Sequence, residues 1–189
     1  MNISAVLLAG GESRRMGRDK ATLEVNGKPL WQKHLDLLRK IAPTEIFVSA
    51  RVDPPWRPDG VEFVADVAPS RGPLSGIAAT LTRIGTPHLL VLAIDMPFMT
   101  ADYLRSLCDD IAPGRGVVPM IDNRAEPLAA IYPREAAPEI SLALAAGDFS
   151  LQTVARALIG VGKLAPLNVA PGERCLFRNL NEPADLAQL

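Results

Sequence analysis

Cysteine and histidine are scarce, with two of each in 189 residues. Cys108 and Cys175 stand far apart with no Cys-x-x-Cys pair, and His34 and His88 have no companions at metal-ligand spacing. These absences exclude zinc and iron–sulfur readings and predict two reduced thiols in a cytoplasmic protein. No apolar run reaches the ~18 residues of a membrane-spanning helix. The apolar stretch Ala5–Ala9 follows Met1 with no basic segment before it, unlike a secretory signal. Net charge is lacking too: 20 Lys+Arg stand against 21 Asp+Glu, a formal charge of −1. Without a basic excess, a general nucleic-acid binder is excluded. A small anionic ligand is not, because its site needs only a few local charges.

What is present is ordinary globular material, 48% hydrophobic and 22% charged. The length predicts a single domain over 1–189, large enough to fold without a disulfide or metal staple. Short apolar runs alternate with amphipathic segments, the pattern of a mostly parallel α/β sheet. Strands are predicted at 3–8, 45–50, 61–64, 88–93, 117–120, 128–132 and 164–169, with a small edge piece at 23–25 closed by Asn26-Gly27. One-sided helices are predicted at 30–40, 74–84, 101–110, 135–146, 151–158 and 183–189. Pro73 suits a first helical turn, and Thr100, Ser150 and Asn181 suit N-caps. Pro54, Pro55 and Pro58 forbid a helix between 51 and 60.

Four stretches carry chemistry. In LAGGESRRMGRDK (8–20) a buried strand runs into Gly10-Gly11 and a loop with Gly17. Glycines let backbone N–H groups approach a phosphate closely. Arg14, Arg15, Arg18 and Lys20 outnumber Glu12 and Asp19 there, so the loop is basic within a neutral chain. Its spacing fits neither a Walker loop nor a dinucleotide-binding Gly-x-Gly-x-x-Gly. In RGPLSG (71–76) a tight turn enters a helix whose first amides suit an anion, although such turns are often mere punctuation. Asp95, in LLVLAIDMPFM, ends a hydrophobic strand where open α/β sheets bind ligands. One carboxylate beside substrate phosphates suits magnesium, and a turn-capping role is the plainer alternative. Asp66 has the same topology. In FRNLNEPADL (177–186) Asn181 is accounted for as a helix cap, whereas Asn179 is not.

Together these residues resemble the MobA-type molybdenum cofactor guanylyltransferases, within the nucleotide-diphospho-sugar transferase-like superfamily. The resemblance rests on LAGGESRRMGRDKA (8–21), GPLSG (72–76), DMPF (95–98), EPLAAIY (126–132) and FRNLNEP (177–183), and covers nearly the whole chain. It implies a three-layer α/β/α Rossmann-like fold and magnesium-dependent transfer of GMP from GTP to molybdopterin, releasing pyrophosphate. Leu8, Ala9 and Gly10 are then nucleotide contacts, with Gly11, Arg15 and Lys20 on its phosphates. Ser13, Gly17, Asp66, Leu74 and Gly76 complete the implied nucleotide set. Asp95 is implied as the magnesium ligand, and Asn179 and Asn181 as the molybdopterin side. Arg15, Lys20 and Asp95 carry the implied catalysis, which needs no general base. Proteins that deliver or receive the cofactor are a further implied class of partner.

Two positions depart from the pattern. Ser49-Ala50-Arg51 stands at a strand end where some relatives carry asparagine, and Glu182 follows Asn181 in place of threonine. Three readings compete. A CTP-dependent molybdopterin cytidylyltransferase shares the chemistry, but such relatives tend to read Leu-Ala-Ala-Gly where this chain has Leu8-Ala9-Gly10-Gly11. A sugar-1-phosphate nucleotidyltransferase is usually longer. A nucleotide-binding regulator without turnover has no need of a metal position.

Overall fold

Continuous apolar runs make the central strands, because a strand covered by helices on both faces has no side left for polar residues. The computed structural model describes residues 2–10, 19–66, 72–147 and 149–180. β1 (Ile3–Leu8) is buried at every position, as is β6 (His88–Ala93). Between them in sequence come a small hairpin of β2 (Glu24–Val25) and β3 (Lys28–Pro29), then β4 (Glu45–Ala50) and β5 (Glu62–Ala65). The hairpin turns at Asn26 and Gly27, whose positive φ angles of 54° and 74° suit a two-residue turn of the type I′ class. After β6 follow β7 (Gly116–Ile121), β8 (Arg124–Ala125), β9 (Ala129–Pro133) and β10 (Leu164–Asn168).

The main sheet runs β10-β7-β9-β6-β1-β4-β5, with β8 paired to β7. β1 pairs parallel with both β4 and β6, while β9 lies antiparallel between β6 and β7. The sheet is therefore mostly parallel, with one reversed strand in its interior. The chain leaves β1 toward β4 and β5 on one side and returns to β6 on the other. That reversal of strand order opens a crevice at the carboxyl ends of β1, β4 and β6.

Alternate side chains of β1 feed two cores, as the two-residue period of a strand requires. Ile3, Ala5 and Leu7 face a layer with α1 (Leu30–Ile41) and α3 (Ala101–Asp109). Val6 and Leu8 face α2 (Pro73–Leu81), α4 (Ala137–Ala145) and α5 (Leu151–Gly160). This is the three-layer arrangement expected. Thr100 caps α3 by accepting from the Tyr103 N–H, and Ser150 caps α5 by accepting from that of Thr153. The helix expected at 74–84 stops at Leu81, where Arg83 and Ile84 turn back to the Thr80 carbonyl. The helix expected from 135 starts as a short 3-10 turn over Arg134–Ala136, with Pro138 placed in the first turn of α4. The helix expected at 183–189 and its Asn181 cap lie outside the described residues. Among the described residues no helix is long and apolar enough to cross a membrane.

Candidate active site

The crevice is floored by the ends of the parallel strands. The backbone continues straight from β1 into it: Ile94 N–H donates to the Leu8 carbonyl at 3.0 Å, and Ala9 N–H to the Ser49 carbonyl at 2.8 Å. Leu8, Ala9 and Gly10 line it, with Lys20, Asp66 and Asp95 around them. Gly10 is required by packing: a Cβ there meets Asp66 Oδ2 at 2.9 Å and the Ala50 backbone at 3.3 Å. Of the remaining loop, Gly11, Ser13, Arg15 and Gly17 lie outside the described residues.

Lys20 is aimed by its own local fold. Asp19 caps a 3-10 turn at Lys20–Thr22 by accepting from the Ala21 N–H at 3.0 Å. From that turn the Lys20 Nζ reaches to 3.6 Å from Asp95 Oδ2, with only 17% of the lysine side chain exposed. Asp95 follows β6 by two residues, and its backbone carbonyl accepts from Leu180 N–H at 2.8 Å. That bond ties the 178–180 segment to the backbone of the same aspartate. The other carboxylate oxygen, Asp95 Oδ1, is buried and finds no hydrogen-bond partner among the described residues. Burial pushes the Asp95 carboxyl above the ordinary aspartate range, and the Lys20 ammonium pulls it back. A buried carboxylate oxygen with no donor is costly unless a cation completes it.

Asp66 is held at the opposite wall. Ser49 Oγ donates to Asp66 Oδ1 at 2.9 Å, and Asp66 N–H donates to the Ala50 carbonyl at 3.1 Å. α2 presses against this pair through Gly76, where a Cβ would meet Ser49 Oγ at 2.6 Å, Leu8 Cδ2 at 3.0 Å and Asp66 Oδ1 at 3.2 Å. Gly72 enters the helix at φ 77°, which frees Pro73 to open it. The Leu74 side chain is 1% exposed and packs in the α2 core, which leaves its backbone in the first helical turn as the part that could meet a nucleotide.

A second groove adjoins the first at Leu128. Met96, Phe177 and Leu151 give it apolar walls, while Glu126, Gln152 and Asn179 give it polar ones. Asn179 is thus close in the chain to the Leu180–Asp95 bond and faces a groove of its own; Asn181 lies outside the described residues. Sequence reasoning missed Ser49, Leu128 and Glu126. Ser49 had a signal, the departure at 49–51, but its partner comes from another strand. Among the described residues no group of three or more His, Cys, Asp or Glu is placed to hold a metal ion. A lone carboxylate such as Asp95 could still hold a magnesium ion, which is content with one carboxylate beside phosphate oxygens.

The chain matches the family model described as a MobA-like NTP transferase domain over residues 5–162. It is 35% identical to the probable molybdenum cofactor guanylyltransferase of Opitutus terrae, over 97% of this chain and 92% of that protein. It is 33% identical to the molybdenum cofactor guanylyltransferase of Syntrophotalea carbinolica, over 96% of this chain and 88% of that protein. Among solved structures it is similar to molybdopterin-guanine dinucleotide biosynthesis protein A from Archaeoglobus fulgidus, with a TM-score of 0.78 and 26% identity. That match covers 98% of this chain and 95% of the other.

Proposed function

The chain belongs to the MobA-like NTP transferase family, a family of nucleotidyltransferases, and on that premise we propose that it transfers GMP from GTP to molybdopterin. An oxygen of the molybdopterin terminal phosphate attacks the α-phosphorus of GTP. The new P–O bond forms there while the bond from the α-phosphorus to the bridging oxygen breaks, and pyrophosphate leaves with that oxygen. The attacking phosphate is already anionic, so no general base is needed. The chain supplies position and charge.

The observation that carries this reading is the Lys20–Asp95 pair at the strand-order reversal, with Asp95 Oδ1 buried and without a partner among the described residues. Lys20 offsets the negative charge that grows on the leaving pyrophosphate, and the sequence adds Arg15 and Gly11 to that task. Leu8, Ala9, Gly10 and Gly76 give the nucleotide close backbone approach, and Asp66 binds it from the far wall. Asn179 and Asn181 serve the molybdopterin side. Asp95 is the residue that would hold magnesium, and its orphaned oxygen fits a cation. Such an ion supplies charge neutralisation on phosphate oxygens. GTP, molybdopterin and magnesium incubated with the purified protein should yield a product of the mass of molybdopterin guanine dinucleotide. No such product under these conditions overturns the reading.

A further inference from the structure

The proposed chemistry leaves one half-buried acid unused. Glu126 lies in the second groove, on a backbone held from every side. Its N–H donates to the Pro119 carbonyl at 2.8 Å, and its own carbonyl accepts from Ala129 N–H at 3.2 Å. The preceding Ala125 is bound twice by the Gln152 amide: its N–H donates to Oε1 at 3.1 Å, and its carbonyl accepts from Nε2 at 2.7 Å. The following Pro127 accepts the buried Tyr132 hydroxyl at 2.9 Å. The Glu126 carboxylate makes no hydrogen bond or ion pair among the described residues. Burial raises its pKa above the ordinary glutamate value, and the nearby Arg124 charge offsets this in part. A half-buried carboxylate on so rigid a base is preorganised for donors that arrive with a ligand.

The groove shows which donors. Phe177 and Met96, nearly buried in the core, give it an apolar floor, and it shares Leu128 with the nucleotide crevice. A planar ring laid on that floor can turn one edge toward Glu126, which lines the same groove. A pterin has an edge of the right kind: ring N3–H and the 2-amino group point the same way, two parallel donors for two carboxylate oxygens. We propose that Glu126 reads the 2-amino-4-oxo edge of the pterin ring of the acceptor, as a specificity-determining residue. This rests on the reading of the chain as a molybdopterin guanylyltransferase.

Glutamine at 126 offers one acceptor and one donor, so it meets one pterin donor and opposes the other. Lumazines carry oxygen in place of the 2-amino group and leave a carboxylate facing an acceptor. A site built on such a bond rejects the analogue that lacks it.

The test uses two compounds, 6-hydroxymethylpterin and 6-hydroxymethyllumazine, whose binding to the GTP-loaded protein is read by ligand fluorescence. The wild type should bind the pterin at least tenfold tighter, and Glu126→Gln should bind the two within about twofold. In turnover, Glu126→Gln should raise KM for molybdopterin about tenfold and leave KM for GTP unchanged. Guanine shares the same two-donor edge, so a raised KM for GTP with an unchanged KM for molybdopterin would assign Glu126 to the nucleotide and overturn the proposal. Equal binding of the two compounds by the wild type, or a pterin preference kept in Glu126→Gln, would overturn it as well. Wild-type turnover reports on the underlying reading separately: a wild type that makes no dinucleotide refutes that reading, whereas a Glu126→Gln variant that equals an active wild type refutes this inference alone.

Discussion

The Lys20 ammonium stands 3.6 Å from Asp95 Oδ2, joining the loop after β1 to the end of β6 across the reversal of strand order. The lysine satisfies one carboxylate oxygen, and the other is buried with no partner among the described residues. A buried carboxylate oxygen of this kind fits a cation carrying phosphates, the role proposed above for magnesium.

Replacing Lys20 with alanine should lower turnover by about 10²–10³-fold, the usual cost of one charge-stabilising donor. The ion pair is partly exposed, so thermal melting should move little. Steady-state pyrophosphate release beside a melting curve checks both halves; a folded Lys20→Ala protein with wild-type turnover removes Lys20 from the site.

Asp95→Asn keeps the shape and removes the charge. Magnesium titration of pyrophosphate release should lose its saturating response in this variant. An unaltered titration would remove Asp95 as the metal-holding residue.

Ser49→Ala frees one oxygen of Asp66 from the 2.9 Å bond that orients it. KM for GTP should rise by about tenfold, equivalent to ~1.4 kcal/mol, with kcat nearly unchanged. Gly76→Ala probes the same wall from the helix side by forcing a Cβ against Ser49 Oγ and Asp66. It should cost about 1–3 kcal/mol of stability and weaken GTP binding in parallel. Chemical denaturation and nucleotide titration read the two effects. A Gly76→Ala protein with unchanged GTP affinity would detach that wall from the nucleotide.

His34 sets an acid limit on stability. Burial in α1 lowers its pKa to about 4, although both ring nitrogens face carbonyls, those of Leu30 at 2.8 Å and Met96 at 3.1 Å. The folded value lies below the ordinary 6.5, so the unfolded chain takes up the proton first as pH falls. This contribution is complete above about pH 6.5 and declines toward pH 4, by about 3 kcal/mol in all. Unfolding free energies measured across that window should fall with acid in the wild type. They should fall less steeply in His34→Gln, and equal slopes would contradict the assignment.

Much of the frame was legible in the sequence because its strongest signals are local. β1, β4 and β6 occur at the predicted 3–8, 45–50 and 88–93, each an apolar run ended by glycine, proline or a charge. β5 lies one residue later than predicted, since Val61 N–H is drawn back to the Pro58 carbonyl of the preceding loop. The reversed β9 was not legible: its direction depends on partners β6 and β7, not on its own residues. The site divided in the same way. Lys20 and Asp95 announce themselves by charge beside glycine or at a strand end. The Ser49–Asp66 bond and the Gln152 clamp on Ala125 join residues distant in sequence, and no local pattern shows that the partners meet.

The central claim is the identity of the nucleotide and of the acceptor. Pyrophosphate release in magnesium and molybdopterin, compared across GTP, CTP and ATP, tests it most directly. The account predicts release with GTP alone and none when molybdopterin is omitted. Release with CTP alone, or release that does not depend on molybdopterin, would contradict it.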